Sequence, residues 1–218
     1  MTGRERRKFL YMLFAAALVF AAPPAPLHAA VGTGEIVRKL QARYDEVTTL
    51  AADFTQETKT RAAVRRSSGR VFFKKPGKMR WNYTEPYEDT IISDGRTIWV
   101  DQPDLGQVIE RDAEDGGPSV ASDFLTGVGS IDRDFKVTLT DSTGPVYRLR
   151  LTPRTPQPGI KVLFIEVEKE SFLVTATVVV DPMGAETRVE LTDVKLNVPL
   201  ADDLFTFHIP EGVRVLRP

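Results

Sequence analysis

The chain has 218 residues, with 29 basic and 30 acidic side chains and no cysteine. That length suits one domain or a small pair. The near-balanced charge offers no field for a polyanion, so nucleic-acid binding is not expected. The missing cysteine excludes disulfides, thiolate metal sites, cysteine nucleophiles and a lipid-modified N-terminal Cys.

The N-terminus reads as an export signal. Arg4, Arg6, Arg7 and Lys8 precede an apolar run of 14 residues, Phe9 to Ala22, too short to span a bilayer comfortably. Pro23, Pro24 and Pro26 break the run, and small residues at Ala29 and Ala30 suit cleavage near that point. The expected division is therefore a signal peptide over residues 1–29 and a single domain over 30–218. Arg6-Arg7-Lys8-Phe9-Leu10 is also similar to a twin-arginine signal, which leaves the export route open. Removing the signal leaves 25 basic against 29 acidic groups, about −4. The mature protein is expected to be soluble and exported.

Thr33 to Leu50 follows a helical period, with Ile36, Val37, Leu40, Tyr44 and Val47 on one side and Thr33 as N-cap. The period then changes to two. Leu50, Ala52, Phe54 and Gln56 alternate with Ala51, Asp53 and Thr55, which predicts a strand. Thr58 to Ser68 is polar and basic and reads as a loop or a strand end.

Gly69 to Tyr83 reads as a hairpin. Val71 and Phe73 share one face of its first strand, and Met79, Trp81 and Tyr83 share one face of its second. Lys74-Lys75-Pro76-Gly77-Lys78 is the turn. Short strands follow at Thr90–Ser93, Thr97–Asp101 and Gln107–Glu110, with Asp94-Gly95 and Pro103–Gly106 as turns.

Asp112–Pro118 is acidic and glycine-rich and reads as a loop. Ser119–Leu125 reads as a short helix with Val120, Phe124 and Leu125 apolar, too short to be stable alone. The pattern from Phe135 on is nearly all strand: Phe135–Thr140, Val146–Thr152, Val162–Glu168, Leu173–Val180 and Thr187–Leu196. One helical turn is expected at Asp202–Phe205 and a terminal strand over Phe207–Val215. About eleven strands in sequence, joined by short turns, should pair as an antiparallel meander. One long helix cannot cover so large a flat sheet. The expected fold is therefore mainly β with α: an unclosed antiparallel β-barrel with helices over its concave side.

Catalytic and metal chemistry find little support. His28 falls in the signal, and His208 stands alone between Phe207 and Ile209. A single strand histidine is more often structural than catalytic. Asp112, Glu114 and Asp115 fit no calcium-loop spacing and read as a solvated acidic loop. There is no phosphate-cradling glycine loop, and no carboxylate pair stands out for glycoside hydrolysis. No enzyme activity, metal or cofactor is expected. What stands out is an excess of large apolar groups on one-sided strands: Phe54, Val71, Phe73, Met79, Trp81, Tyr83 and Ile98. With two amphipathic helices and an export signal, this suggests binding of something apolar in an aqueous compartment.

The residues resemble the LolA family of periplasmic lipoprotein carriers. The resemblance runs through Leu50-Ala51-Ala52-Asp53-Phe54-Thr55-Gln56, Gly69-Arg70-Val71-Phe72-Phe73-Lys74-Lys75-Pro76 and Met79-Arg80-Trp81. It continues through Ser93-Asp94-Gly95 with Trp99, then Phe205-Thr206-Phe207 and Pro210-Glu211-Gly212-Val213. No single piece is specific, but their order covers nearly the whole mature chain. It implies an unclosed barrel with a helical lid over an apolar cavity for acyl chains. Loading would come from an ABC-type lipoprotein-releasing complex in the inner membrane, and delivery would be to an outer-membrane lipoprotein receptor or the membrane itself.

On that footing the acyl-binding candidates are Leu40, Phe54, Val71, Phe73, Met79, Trp81, Tyr83, Ile98, Val120, Phe124 and Leu125. The family also implies a latch, an arginine directly before the hairpin proline that holds the lid closed. Here that position is Lys75, a point charge without a planar fork, and Arg80 is a second candidate for the role. A periplasmic regulator sensing lipids or lipoproteins, or a lipid carrier, on the same fold is the alternative; a sensor would be expected to carry a second domain or an anchor.

Overall fold

Residues 31–113, 130–157 and 159–218 are described in the computed structural model. Helix α1 spans Thr33–Asp45, shorter than the expected Thr33–Leu50. Its Tyr44 carbonyl accepts the Val47 N–H, and β-branched Thr48 and Thr49 then lead straight into a strand. Asn197 reinforces the break by accepting the Thr48 N–H at 2.8 Å through its side-chain oxygen. At the other end Gly32, not Thr33, occupies the N-cap position, and its carbonyl accepts the N–H groups of Glu35 and Ile36.

Twelve strands follow. The first six are β1 (Thr49–Lys59), β2 (Val64–Lys74), β3 (Lys78–Glu85), β4 (Thr90–Asp94), β5 (Thr97–Gln102) and β6 (Gln107–Asp112). The second group is β7 (Phe135–Asp141), β8 (Val146–Pro153), β9 (Val162–Glu168), β10 (Val174–Val180) and β11 (Glu186–Leu196), with β12 (Arg214–Leu216) last. A one-turn helix that the sequence did not announce, α2 (Ile131–Asp134), leads into β7.

All twelve strands form one sheet in the order β12-β6-β5-β4-β3-β2-β1-β11-β10-β9-β8-β7. Two antiparallel meanders, β1–β6 and β7–β11, are joined by the long antiparallel pairing of β1 with β11. The edge strands β12 and β7 are not neighbours, so the sheet is unclosed, as expected. The meander is not complete: β12 lies parallel to β6. The expected terminal strand Phe207–Val215 is reduced to these last residues. Pro210 has no N–H to give a ladder, and Gly212 turns the chain at φ 78°.

Thr58–Ser68 also differs from the loop reading. β1 and β2 pair continuously out to Lys59 and Val64, and only Thr60–Ala63 turns. The side chains there are polar on both faces, which hid the strand from a period-two reading. Backbone pairing and the Arg66–Glu57 ion pair at 2.7 Å hold it.

Alternation places the core. Leu50, Ala52 and Phe54 of β1, Val71 and Phe73 of β2, and Tyr147, Leu149 and Leu151 of β8 are buried with Leu163, Ile165 and Val167 of β9 in one cluster. Ile36, Val37, Leu40 and Tyr44 of α1 belong to the same cluster. Residues from both meanders therefore reach a single helix, so the sheet curls around α1.

A smaller apolar layer lies on the outer face. Ile92 faces Arg80 and Trp99 across its strand pairs, and Trp99 meets Phe207 with ring centroids 6.0 Å apart. The 3-10 turn Asp202–Phe205, at its expected place, buries Phe205 here.

Gly69 sits at an irregular step in the β2–β3 pairing. A Cβ there would lie 2.0 Å from the Asn82 carbonyl oxygen, with further backbone atoms behind it. Gly69→Ala must therefore push the two strands apart. Urea denaturation should show a loss of about 3 kcal/mol, in the upper range for overpacking a rigid interior; a loss under about 0.5 kcal/mol would mean the hairpin yields there.

Candidate functional site

The concave face gathers the described acyl-binding candidates. Leu40, Phe54, Val71, Phe73, Met79, Trp81 and Ile98 are all buried in the central cluster, and Tyr83 packs against it partly exposed. Val120, Phe124 and Leu125, with the expected helix that carries them, lie outside the described residues.

Aromatic edges organise the centre. Phe54 meets Trp81 with centroids 4.8 Å apart at 72° and meets Tyr83 at 5.0 Å and 81°. Phe73 meets Trp81 at 5.8 Å and 84°. These are edge-to-face contacts, each worth about 0.5–1.5 kcal/mol beyond the area they bury. The strand pairing makes them: Val71 faces Trp81, Phe73 faces Met79, and Gly69 faces both Phe54 and Tyr83.

α1 lies over this surface, and its C-terminal end is held at three points. Tyr44 is buried, and its hydroxyl oxygen accepts the Val174 N–H of β10 at 3.1 Å. Burial pushes that hydroxyl up to about 12, so it stays neutral at physiological pH. The Asn197 side chain bonds Thr48 and reaches the Glu46 carbonyl at 3.4 Å. Lys75 Nζ, just past the end of β2, donates to the Tyr44 carbonyl. A helix leaves its last carbonyls without internal partners, and a cation there also complements the helix dipole. Burial lowers the Lys75 ammonium from the ordinary lysine range, and the neighbouring Asp45 carboxylate opposes that shift.

Arg80 is placed differently. It lies between Met79 and Trp81 on β3, so alternation turns it to the outer face. There its guanidinium donates to the Asn82 side chain at 2.7 Å and to the Leu204 carbonyl at 3.1 Å. Lys74 and Lys78 point the same way and reach Asp202 at 3.0 and 2.7 Å. Lys75 thus reaches α1, while its lysine neighbours hold the C-terminal segment.

A cleft of about 700 Å³ opens at the other end of the sheet. Tyr83, Ile91 and Val100 line it with Gln56, Arg65, Tyr87 and Asp89. Tyr83 is common to this cleft and to the aromatic cluster, and its hydroxyl donates to the Gln56 side chain at 3.1 Å. Burial, aided by Asp89, pushes the Tyr83 hydroxyl up to about 12.

Sequence reasoning did not single out Asn197 or the inner faces of β7 to β10. Asn197 carries the only distant signal, an asparagine suited to its left-handed φ of 55°. Among the described residues no group of three His, Cys, Asp or Glu side chains converges as a metal site would.

An unclosed antiparallel sheet, wrapped around one amphipathic helix and apolar on its concave side, defines the class of this protein as a helix-covered apolar-interior barrel. The chain belongs to the family described as outer membrane lipoprotein carrier protein LolA, which matches residues 45–208. A relative from Cupriavidus taiwanensis, named outer-membrane lipoprotein carrier protein, is 32% identical over 93% of this chain and 95% of its own. One of the same name from Chromobacterium violaceum is 30% identical over 96% of this chain and 98% of its own. The crystal structure of an uncharacterized conserved protein from Thermus thermophilus shares the fold, with a TM-score of 0.53 at 13% identity, over 85% of this chain and 98% of that one.

The Lys75 contact has a direct test. Lys75→Leu removes the donor to the Tyr44 carbonyl and with it one of the three contacts at the end of α1. Amide exchange across α1 should speed by about tenfold or more, the equivalent of one hydrogen bond from a charged donor, while exchange in β8 and β9 stays as it was. Unchanged exchange in α1 would show that Lys75 does not hold the helix.

Proposed function

We propose that the chain is a periplasmic carrier that takes up the acyl chains of lipoproteins released from the inner membrane and delivers them to the outer membrane. The observation that carries this reading is the single apolar interior shared by the concave sheet and α1. The carrier names of the relatives support it.

The energetics explain the architecture. Burying an acyl chain is worth about 0.8 kcal/mol per CH₂, so a lipoprotein cannot cross water with its chains bare. A carrier must offer comparable apolar area, and that same area is sticky when empty. In this reading α1 is the lid. Its apolar side occupies the concave face in the unloaded state and gives way to acyl chains in the loaded one. Lys75 is the latch, holding the last turn of α1 through the Tyr44 carbonyl. One lysine hydrogen bond is worth about 1.5–3 kcal/mol at most, weak enough for cargo to displace. Met79, unbranched and adaptable, suits an interior that accepts two different occupants.

Residues 1–29 are the signal peptide, cleaved near Ala29 or Ala30. The mature protein works as a monomer and carries out no chemistry. Direction comes from differential affinity among partners: an ABC-type lipoprotein-releasing complex in the inner membrane loads it, and an outer-membrane receptor or the membrane unloads it. Among the described residues no helix is long and apolar enough to cross a membrane.

Met79→Glu and Trp81→Glu each place a carboxylate in the interior. Both should abolish detectable lipoprotein loading in a reconstituted transfer assay, and circular dichroism should still report a folded sheet. Normal loading by either folded variant would remove that residue from the acyl-binding surface.

A further inference from the structure

The interior holds polar groups as well as apolar ones: the Tyr44 hydroxyl is bonded to the Val174 N–H, while the Trp81 indole is left without a partner among the described residues. Trp81 is 8% exposed, and its indole N–H is fully buried with no hydrogen-bond acceptor among the described residues. The neighbours that pack on its ring are Phe54 and Phe73, at 4.8 and 5.8 Å. Aromatic faces are at best weak acceptors. A buried donor without an acceptor is unfavourable, and phenylalanine would fill much the same space without that cost. Trp99 shows the contrast: it lies on the outer face against Phe207 and is partly exposed.

We infer that the Trp81 indole N–H is a recognition group that donates to the ester carbonyl of an acyl chain bound in the interior. The inference rests on the carrier reading and adds a chemical preference to it. An ester fits the unpaired group because it brings acceptors and no donor. It can therefore satisfy the indole without introducing a new unpaired N–H, which an amide would do. A plain hydrocarbon or an ether-linked alkyl chain buries the same methylenes but offers no carbonyl. The site thus distinguishes ester-linked acyl chains from apolar material of equal length, a distinction that area alone cannot make.

The test uses two synthetic lipopeptides with a free N-terminal amine, one bearing two ester-linked hexadecanoyl chains on a thioglyceryl group and one bearing two ether-linked hexadecyl chains. Affinities for the mature wild-type protein should favour the ester by about tenfold, the worth of one buried hydrogen bond. In Trp81→Phe the ester-to-ether ratio should fall to about one. A second readout does not depend on that variant folding. In the wild type, the indole ¹H–¹⁵N signal of Trp81, assigned with Trp99→Phe, should move downfield on adding the ester and not on adding the ether.

Equal wild-type affinity for the two lipopeptides would overturn the inference and leave the carrier reading standing. So would an equal loss for both in Trp81→Phe, or an indole signal that shifts alike with both. Binding of neither lipopeptide by the wild type would overturn the carrier reading and the inference with it.

Discussion

The burial of one amphipathic helix against the concave side of one sheet is the contact on which the rest of this molecule depends. Twelve strands in a sheet with two free edges expose an inner face far too apolar to leave in water. Helix α1, 13 residues long, is the described element that meets residues of both meanders there. Curling the sheet around the helix lets one short element serve strands as distant in sequence as β2 and β10. The cohesion is non-directional, coming mostly from aliphatic and aromatic area. That makes the interior tolerant of a different apolar occupant, which a polar network would not allow.

The directional contacts are concentrated at the rim. The turn between β2 and β3 has a side chain for each face: Lys75 reaches the Tyr44 carbonyl of α1, while Lys74 and Lys78 reach Asp202. The segment after β11 is bound to the outer face by these lysines, by Arg80 and by the burial of Phe205. It also supplies Asn197, which pins the connection between α1 and β1. The C-terminal end of the helix is thus set by Lys75, Val174 and Asn197, and its apolar side by residues of both meanders. In the proposed carrier, removing a polar contact at the rim would change how readily the helix lifts and leave the apolar lining as it is.

Much of this was legible from residue order. The inner faces of β2 and β3 alternate cleanly, and the Pro-Gly and Asp-Gly turns fall where the chain reverses, so the aromatic cluster could be named from sequence. Placing Lys75 against the helix needed strand alternation plus the family resemblance. Alternation alone also shows why Arg80 is elsewhere: a residue between two inward side chains points outward. The misreadings have physical causes. β1 and β2 extend through a polar stretch because backbone pairing needs no apolar face. α1 stops early because Asn197, about 150 positions away in the chain, captures its exit. Phe207 packs on Trp99 in place of joining a strand. The hairpin is local but carries no apolar period, whereas the other two are contacts between segments distant in sequence.

The central claim is that one interior serves two occupants, the helix or acyl chains. Native mass spectrometry of the mature protein, prepared without detergent and titrated with a synthetic triacylated lipopeptide, tests it most directly. The account predicts a one-to-one complex that survives desolvation, with hydrogen exchange in α1 faster in the complex than in the bare protein. A spectrum showing only bare protein at saturating lipopeptide would contradict it, as would a complex in which α1 remains fully protected.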